Sequence, residues 1–291
     1  MKIIVDAMGG DNAPEQIVLG AIDALCEDKQ LEVTLVGDTD AICKVLAGKK
    51  YDDNRLEIID AKDVITNDDS PTMAIKTKKE SSLVKAFEAL NRDDADGFVS
   101  AGSTGAVLVG AFMKVGRIKG VSRPALAPVL PTLKGNELTQ EAYKLLSETR
   151  GINFVGNCEA RDILSGDYDV VVCDGFNGNI ALKSAEGTAN TMLKLIKDGV
   201  YSGGLKSKLG ALMLKSVFKN VKKKMDYNAH GGACFLGVNK IVVKSHGASK
   251  SKSITASILQ AKSLAEAKVC DKIKSGITEV LAVQNAEESA N

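Results

Sequence analysis

The sequence lacks tryptophan altogether, and aromatic residues make up only 4% of its 291 residues. Proteins that bind single-stranded nucleic acids stack the bases on aromatic side chains. The charges nearly cancel as well, with 38 Lys and Arg residues against 37 Asp and Glu residues. Without a strong basic field or a stacking platform, a nucleic-acid-binding function is disfavoured.

Histidine is almost as scarce, with two in the chain, and none of the six cysteines forms a C-x-x-C pair. Because structural zinc sites need closely spaced Cys and His ligands, we expect no metal site. The scattered cysteines are typical of reduced thiols. Long apolar runs are missing too, and Lys2 is followed by only three aliphatic residues before Asp6. We therefore expect a soluble cytoplasmic protein without a signal peptide or a membrane span.

Short apolar segments alternate with helical patterns along most of the chain. The segments are apolar at successive positions, as in parallel strands whose two faces are both covered. Strands are predicted at 2–5, 31–38, 55–61, 96–102, 125–132, 152–157, 168–175 and 240–247. Long helices are predicted from Ser70, Asn136 and Ile254. No Ser/Gly/Pro-rich linker divides the chain, which predicts one α/β domain over 1–291.

Four glycine-containing loops directly follow predicted strands: VDAMGGD (5–11), SAGSTGA (100–106), DGFNGN (174–179) and SHGAS (245–249). In an open parallel sheet, such loops converge on the crevice where ligands bind. Glycines let backbone N–H groups approach an anion, and helix N-termini favour negative charge. Neither G-x-G-x-x-G nor G-x-x-x-x-G-K-[ST] occurs, which disfavours a dinucleotide site or a P-loop. The four loops therefore predict a site for a small anionic substrate.

Several side chains in or near these loops suit phosphate: Lys183, Arg161, His246, Ser103, Thr104 and Ser249. Two of them have a structural alternative. Arg161 could form an ion pair with Glu159 or Asp162, and His246 could be a structural histidine beside a strand. The aspartates of the loops are interpreted as caps of turns or helices: Asp6, Asp11 and Asp174.

A basic amphipathic stretch covers 205–227, with seven lysines and no acidic residue before Asp226. Its apolar residues recur at helical spacing. Such a helix can lie on an anionic membrane or bind an acidic partner. The alternative, which we favour, is a dimer-interface helix with a solvated lysine face.

Ten stretches match one family in order from Met1 to about Ala256, among them VDAMGGDNAPE, VSAGSTGA, FVGNCEARDI, VVVCDGFNGNIALKSAEG and HGAS. In these motifs the chain resembles the bacterial phosphate acyltransferases called PlsX. The resemblance implies transfer of a fatty acyl group from an acyl carrier protein thioester to inorganic phosphate, giving acyl phosphate for phospholipid synthesis. No metal or other cofactor is implied.

The resemblance also implies a three-layer, Rossmann-like, mostly parallel sheet, of the type of isocitrate and isopropylmalate dehydrogenases, with a helical dimerisation arm over about 184–228. The implied partners are acyl carrier protein, inorganic phosphate and a second copy of the chain. Contact with the inner face of the cell membrane, and with a downstream glycerol-3-phosphate acyltransferase, stays an open alternative.

Two sets of site residues follow from the motif matches. The candidate catalytic residues are Lys183, His246, Arg161 and Asn157. The candidate phosphate- and acyl-binding residues are Gly9, Gly10, Ser103, Thr104, Gly105, Asn177, Gly178, Asn179 and Ser249. Which residue acts as acid, base or oxyanion donor is left open.

The chain departs from the family between Thr132 and Lys134. The family carries a further strand–helix–strand stretch there, including D-V-G-A-N and N-I-G-E-E loops that this sequence lacks. A unit of that kind is on the order of 30 residues, and its loss would expose a sheet edge or a core face. Two alternatives to the leading function therefore stay open. One is an impaired remnant that dimerises and binds carrier protein or membrane, and the other is a coenzyme A-dependent phosphate acyltransferase.

Overall fold

The computed structural model describes residues 1–92, 94–121, 125–127, 137–149, 152–159, 162–163, 165–224 and 231–288. The chain divides into two compact units, one of Met1–Ala127 with Tyr227–Asn291 and the other of Pro128–Asp226. The single continuous domain expected from the sequence stays a prediction.

In the described residues, the first unit contains a seven-stranded sheet in the order β3-β2-β1-β4-β7-β6-β5. The strands are β1 (Lys2–Asp6), β2 (Glu32–Gly37), β3 (Leu56–Asp60), β4 (Gly97–Ser100), β5 (Ala125–Ala127), β6 (Ala233–Leu236) and β7 (Ile241–Lys244). The pairings from β3 across to β7 are parallel, whereas β6 runs antiparallel to β5 and β7. The prediction of a mostly parallel α/β sheet is confirmed.

The α-helices described in the first unit are α1 (Glu15–Glu27), α2 (Thr39–Leu46), α3 (Pro71–Thr77), α4 (Ser82–Leu90), α5 (Thr104–Gly110), α10 (Ser251–Glu266) and α11 (Val269–Glu288). Those of the second unit are α6 (Glu137–Glu148), α7 (Gly175–Ser202), α8 (Gly204–Met213) and α9 (Lys215–Lys224). None of the helices described is long and apolar enough to cross a membrane.

Alternate residues of the strands enter two separate cores, one on each face of the sheet. On β1, Ile3 belongs to the core that includes residues of α1, α2 and α10, whereas Ile4 belongs to the core that includes residues of α3, α4 and α5. In the second core Phe87 stacks on Phe98, with ring centroids 4.6 Å apart. Because both faces are covered, the central strands are apolar at successive positions.

The long helix predicted from Ser70 is in fact two helices, α3 and α4, so that prediction was wrong in its extent. The helical segment ends at Thr77, and Ser81 starts the next one, its Oγ accepting a hydrogen bond from Val84 N at 3.4 Å. A serine hydroxyl competes well for backbone N–H groups at a helix start, which makes a new N-terminus out of a position inside the pattern.

Two predicted strands, 152–157 and 168–175, are not strands in the structure. Residues 170–174 are irregular, and Gly175 already begins α7. Val170 is 74% exposed and Val172 77% exposed. A strand is stabilised by hydrogen bonds to a neighbouring backbone, and the described residues of the second unit contain no strand. In the first unit, by contrast, the short strand β6 was missed from the sequence.

Candidate active site

Three of the four glycine loops meet at the carboxyl ends of β1, β4 and β7. Asp11 N, in the loop after β1, donates a hydrogen bond to Gly247 O in the loop after β7 at 2.9 Å. Ser245 N, at the end of β7, donates to Ser100 O at the end of β4, also at 2.9 Å. β1 and β7 lie on either side of β4. The parallel strand order thus brings together three of the four loops that the sequence predicted to converge. The fourth, DGFNGN, belongs to the second unit and follows an irregular segment instead of a strand, so the prediction was wrong in placing it after a strand.

The glycines of the first loop are required by the close approach of these backbones. A Cβ atom at Gly9 would lie 2.5 Å from Asp6 Oδ2 and 2.8 Å from Gly102 N. Gly10 has φ = +104°, and a Cβ there would lie 2.9 Å from Ala101 Cβ. Both positions therefore need glycine, for space at Gly9 and for space and conformation at Gly10.

Asp6 is a buried carboxylate that connects the first two loops. Its Oδ2 accepts a hydrogen bond from Ser100 Oγ at 2.8 Å, and its Oδ1 accepts one from Met8 N at 3.3 Å. Ser100 Oγ in turn accepts a hydrogen bond from Gly102 N at 3.0 Å. Burial raises the pKa of Asp6, while these donors act in the opposite direction. The interpretation of Asp6 as a turn cap agrees with these contacts.

Lys244, the last residue of β7, is a buried cation that the sequence did not single out. Its Nζ donates to Ala101 O at 3.4 Å and to Ser245 O. Burial lowers the pKa of Lys244 to about 8, against the attraction of Asp11 and Asp6, which raises it. The one signal in the sequence is a lysine at the end of an otherwise apolar strand, IVVK.

The predicted site residues of the first unit lie in or beside these loops: Gly9, Gly10, Ser103, Thr104, Gly105, His246 and Ser249. Ser103 precedes α5, and Thr104 is its first residue. Ser249 is buried, and its Oγ lies 3.3 Å from Ser253 Oγ. His246 is exposed, and its Nδ1 accepts a hydrogen bond from Ala248 N at 3.2 Å.

The other predicted site residues belong to the second unit. Asn177, Gly178 and Asn179 lie in the first two turns of α7, and Asp174 Oδ1 accepts hydrogen bonds from Phe176 N and Asn177 N at 3.0 Å. The interpretation of Asp174 as a helix cap is therefore confirmed. Lys183 is exposed further along α7, and Asn157 is exposed in an irregular segment. Arg161 lies outside the described residues. The roles of all these residues stay predictions.

A protein-family model described as "Fatty acid synthesis protein" matches residues 1–137 and 132–272. A phosphate acyltransferase of Clostridium tetani is 40% identical, with 96% of this chain and 99% of that protein aligned. One from Clostridium acetobutylicum is 41% identical over 96% and 100% of the two chains, and one from Acetivibrio thermocellus is 42% identical over 94% and 96%.

The chain belongs to the PlsX family of phosphate acyltransferases. The resemblance seen in the motifs is thus confirmed, and with it the enzyme class. Solved structures resemble the chain more weakly. A phosphotransacetylase from Streptococcus pyogenes is 16% identical over 91% of this chain and 94% of that one, with a TM-score of 0.45. At that similarity it defines no feature of this chain.

The family model matches the chain in two segments, which overlap at residues 132–137. The alignment with the Clostridium tetani protein is 332 residues long, whereas the chain has 291 residues, so part of the relative has no counterpart here. The break in the family-model match supports placing the missing strand–helix–strand stretch between Thr132 and Lys134, which stays a proposal.

Proposed function

We propose that the chain transfers a fatty acyl group from an acyl carrier protein thioester to inorganic phosphate, giving acyl phosphate. The observation that carries this proposal is the meeting of three glycine loops at one sheet edge in a member of a phosphate acyltransferase family. Closely packed glycine loops at strand ends suit a small, highly charged anion.

The proposed reaction needs little acid–base chemistry. A phosphate oxygen attacks the thioester carbonyl, the new C–O bond forms, and the C–S bond breaks. The thiol leaves as a thiolate and then takes up a proton. Because thiols have a pKa of about 8.5, the leaving group is already good. The harder tasks are holding phosphate in line with the carbonyl carbon and stabilising the oxyanion.

We assign the first of these tasks to the loops of the first unit. The backbone N–H groups around Gly9, Gly10 and Gly105 and the hydroxyls of Ser103 and Thr104 would bind phosphate. The candidate catalytic residues from the motif matches are proposed to serve as acid, base or oxyanion donor, with the role of each left open: Lys183, His246, Arg161 and Asn157.

The remaining parts of the proposal concern assembly. We infer a homodimer formed through the helical arm over about 184–228, on a fold of the isocitrate dehydrogenase type. Exposed apolar side chains on the arm's helices support an interface, among them Met192, Leu195, Leu209, Leu212 and Met213. The further partners that we propose for the chain are acyl carrier protein, the inner face of the cell membrane and a glycerol-3-phosphate acyltransferase.

A non-catalytic remnant that dimerises and binds carrier protein or membrane is the second candidate function. The observation in its favour is the exposure of Val170 and Val172, in a segment that the sequence predicts as a buried strand. A missing neighbour strand after Thr132 would leave the segment unpaired in this way.

The test is phosphate-dependent release of thiol from acyl carrier protein thioester, with acyl phosphate trapped by hydroxylamine as the hydroxamate. We expect release only when phosphate is present, and faster release from the carrier protein thioester than from the coenzyme A thioester. Equal or faster release from coenzyme A would favour the coenzyme A-dependent alternative. No release from either donor would leave the remnant as the better description.

A further inference from the structure

Lys244 is a buried lysine that the proposed reaction does not yet use. Only 8% of the residue is exposed, and lysine is rarely buried to this extent without a paired charge. Its described hydrogen-bond partners are two backbone carbonyl oxygens, Ala101 O and Ser245 O. The first belongs to the loop after β4, and the second to the loop after β7.

One of these carbonyls, Ala101 O, lies where the first loop packs on the loop after β4, 3.3 Å from a Cβ built at Gly10. A Cβ at Gly10 would meet Ala101 Cβ at 2.9 Å and Gly247 O at 3.0 Å, so the loop after β1 packs on both neighbours. Ser245 N also donates to Ser100 O, next to Ala101. The Lys244 ammonium group therefore joins the same two backbone segments on which the first loop rests.

The positive charge of Lys244 interacts with two aspartates of the first loop, Asp6 and Asp11. Attraction by Asp11 and Asp6 opposes the burial that disfavours the ammonium form. A buried cation with partly compensating carboxylates is costly for stability. That cost is understandable if the ammonium group orders backbone that has to receive an anion.

We propose that Lys244 is a positioning residue of the phosphate site, whose buried ammonium group ties the loop after β4 to the loop after β7. The spacing of the backbone N–H groups that receive phosphate would then depend on Lys244. The inference rests on the proposed function and adds a residue to it.

The test is the Lys244→Met variant, with phosphate and acyl donor varied separately. We expect the KM for phosphate to rise at least tenfold, while the KM for the acyl donor changes less than twofold. Lys244→Gln can still donate to one carbonyl, so its phosphate KM should lie between those of the parent and the Met variant. If Lys244→Met does not fold, the phosphate KM of Lys244→Gln tests the proposal in its place.

The matched control is Lys262→Met. Lys262 is buried to a similar degree, 7% exposed, but its Nζ bonds Asp28 and Glu266, neither of which belongs to a glycine loop. We expect this variant to lower the midpoint of thermal unfolding and to leave the phosphate KM within twofold. An unchanged phosphate KM in the Lys244 variants would overturn the proposal. So would equal rises in both KM values together with a thermal shift like that of Lys262→Met.

A direct binding measurement separates this inference from the proposed function. If the parent releases no thiol, the proposed function fails, and binding of inorganic phosphate is then followed by ³¹P NMR line broadening. Binding to the parent that weakens at least tenfold in Lys244→Met would uphold the role of Lys244. Equal binding in the two proteins, or none to the parent, would refute it.

Discussion

Two segments of similar composition have opposite fates in the two units. KIIVD forms β1, in which Ile3, Ile4 and Val5 are all buried, whereas the three valines of DVVVCD include Val170 and Val172, which are mostly exposed. β1 pairs with β2 on one side and β4 on the other. The described part of the second unit offers no strand to its valines. An apolar run thus becomes a strand only where a neighbouring backbone is present to pair with it.

Local interactions, by contrast, are the same in both units. Asp38 caps α2 in the first unit by accepting a hydrogen bond from Ala41 N at 2.9 Å. Asp174 caps α7 in the second unit with bonds of 3.0 Å. A cap needs only its own helix, and for this reason it forms whether or not the helix is packed.

The largest difference between the units should appear on truncating phenylalanines. Phe98 is fully buried and stacked on Phe87, whereas Phe176 is 75% exposed. We expect Phe98→Ala to lower the free energy of unfolding by about 3–5 kcal/mol, and Phe176→Ala by less than about 0.5 kcal/mol. Urea denaturation of both variants measures this. Losses of similar size would mean that the second unit has a core of its own at Phe176.

Substitution of a loop glycine should have the next largest effect. Gly10→Ala would place a side chain at a positive φ and 2.9 Å from Ala101 Cβ. We expect it to lower the free energy of unfolding by about 2–4 kcal/mol and to abolish phosphate binding. Gly48→Ala is the control, because Gly48 has φ = +73° but nothing within 4 Å of an added methyl group. It should lose about 1 kcal/mol. Equal losses in urea denaturation would contradict the packing of the three loops.

The pH dependence of stability should distinguish Lys244 from Lys262. The pKa of Lys244 is lowered to about 8 in the folded chain, so between about pH 8 and 10.5 the unfolded chain binds the proton and the folded chain does not. Stability therefore rises with pH in that range. The free energy of unfolding of the unsubstituted protein, relative to that of Lys244→Met, should rise by about 2–3 kcal/mol between pH 7 and pH 10.

The control for this experiment is again Lys262→Met. The hydrogen bond to Asp28 raises the pKa of Lys262, so its contribution to stability is complete below about pH 10.5 and is lost only above it. The difference in free energy of unfolding between the unsubstituted protein and Lys262→Met should stay constant from about pH 7 to pH 10. Parallel curves for the two variants would argue against the burial of Lys244.

The smallest effect, and the one that should be equal in the two units, comes from the helix caps. Asp38→Ala and Asp174→Ala should each weaken their helix by about 1 kcal/mol. Hydrogen exchange of the first-turn amides of α2 and α7 measures this locally. A clear effect on α2 with none on α7 would show that the first turn of α7 is not formed in solution.

The first unit could be predicted well from the sequence because its signals are local and its partners are present. The strands β1 to β4 and β7 and the meeting of the glycine loops follow from short patterns, as does the cap at Asp174 in the second unit. The helix boundary at Ser81 was not predicted, because the start of α4 depends on capping by a single serine hydroxyl. The predictions of strands at 152–157 and 168–175 were wrong because a strand needs a partner strand, and that partner lies elsewhere in the chain.

The site was predictable only in part for the same reason. Gly9 and Gly10 are conspicuous in the sequence, since adjacent glycines after a strand are typical of a tight loop. Burial of Asp6 and Lys244 is a tertiary property, and a single aspartate or lysine at a strand end does not reveal it. The sequence alone therefore located the loops but not the buried charges that hold them.

The most direct test of the account is a titration of the ¹⁵N-labelled protein with inorganic phosphate, followed by amide chemical shifts. We expect the amides of Gly9, Gly102 and Gly247 to shift together with one saturation curve, while amides of α11 stay in place. Shifts absent from these loops at phosphate concentrations that saturate turnover would contradict the assignment of the phosphate site to this edge of the sheet.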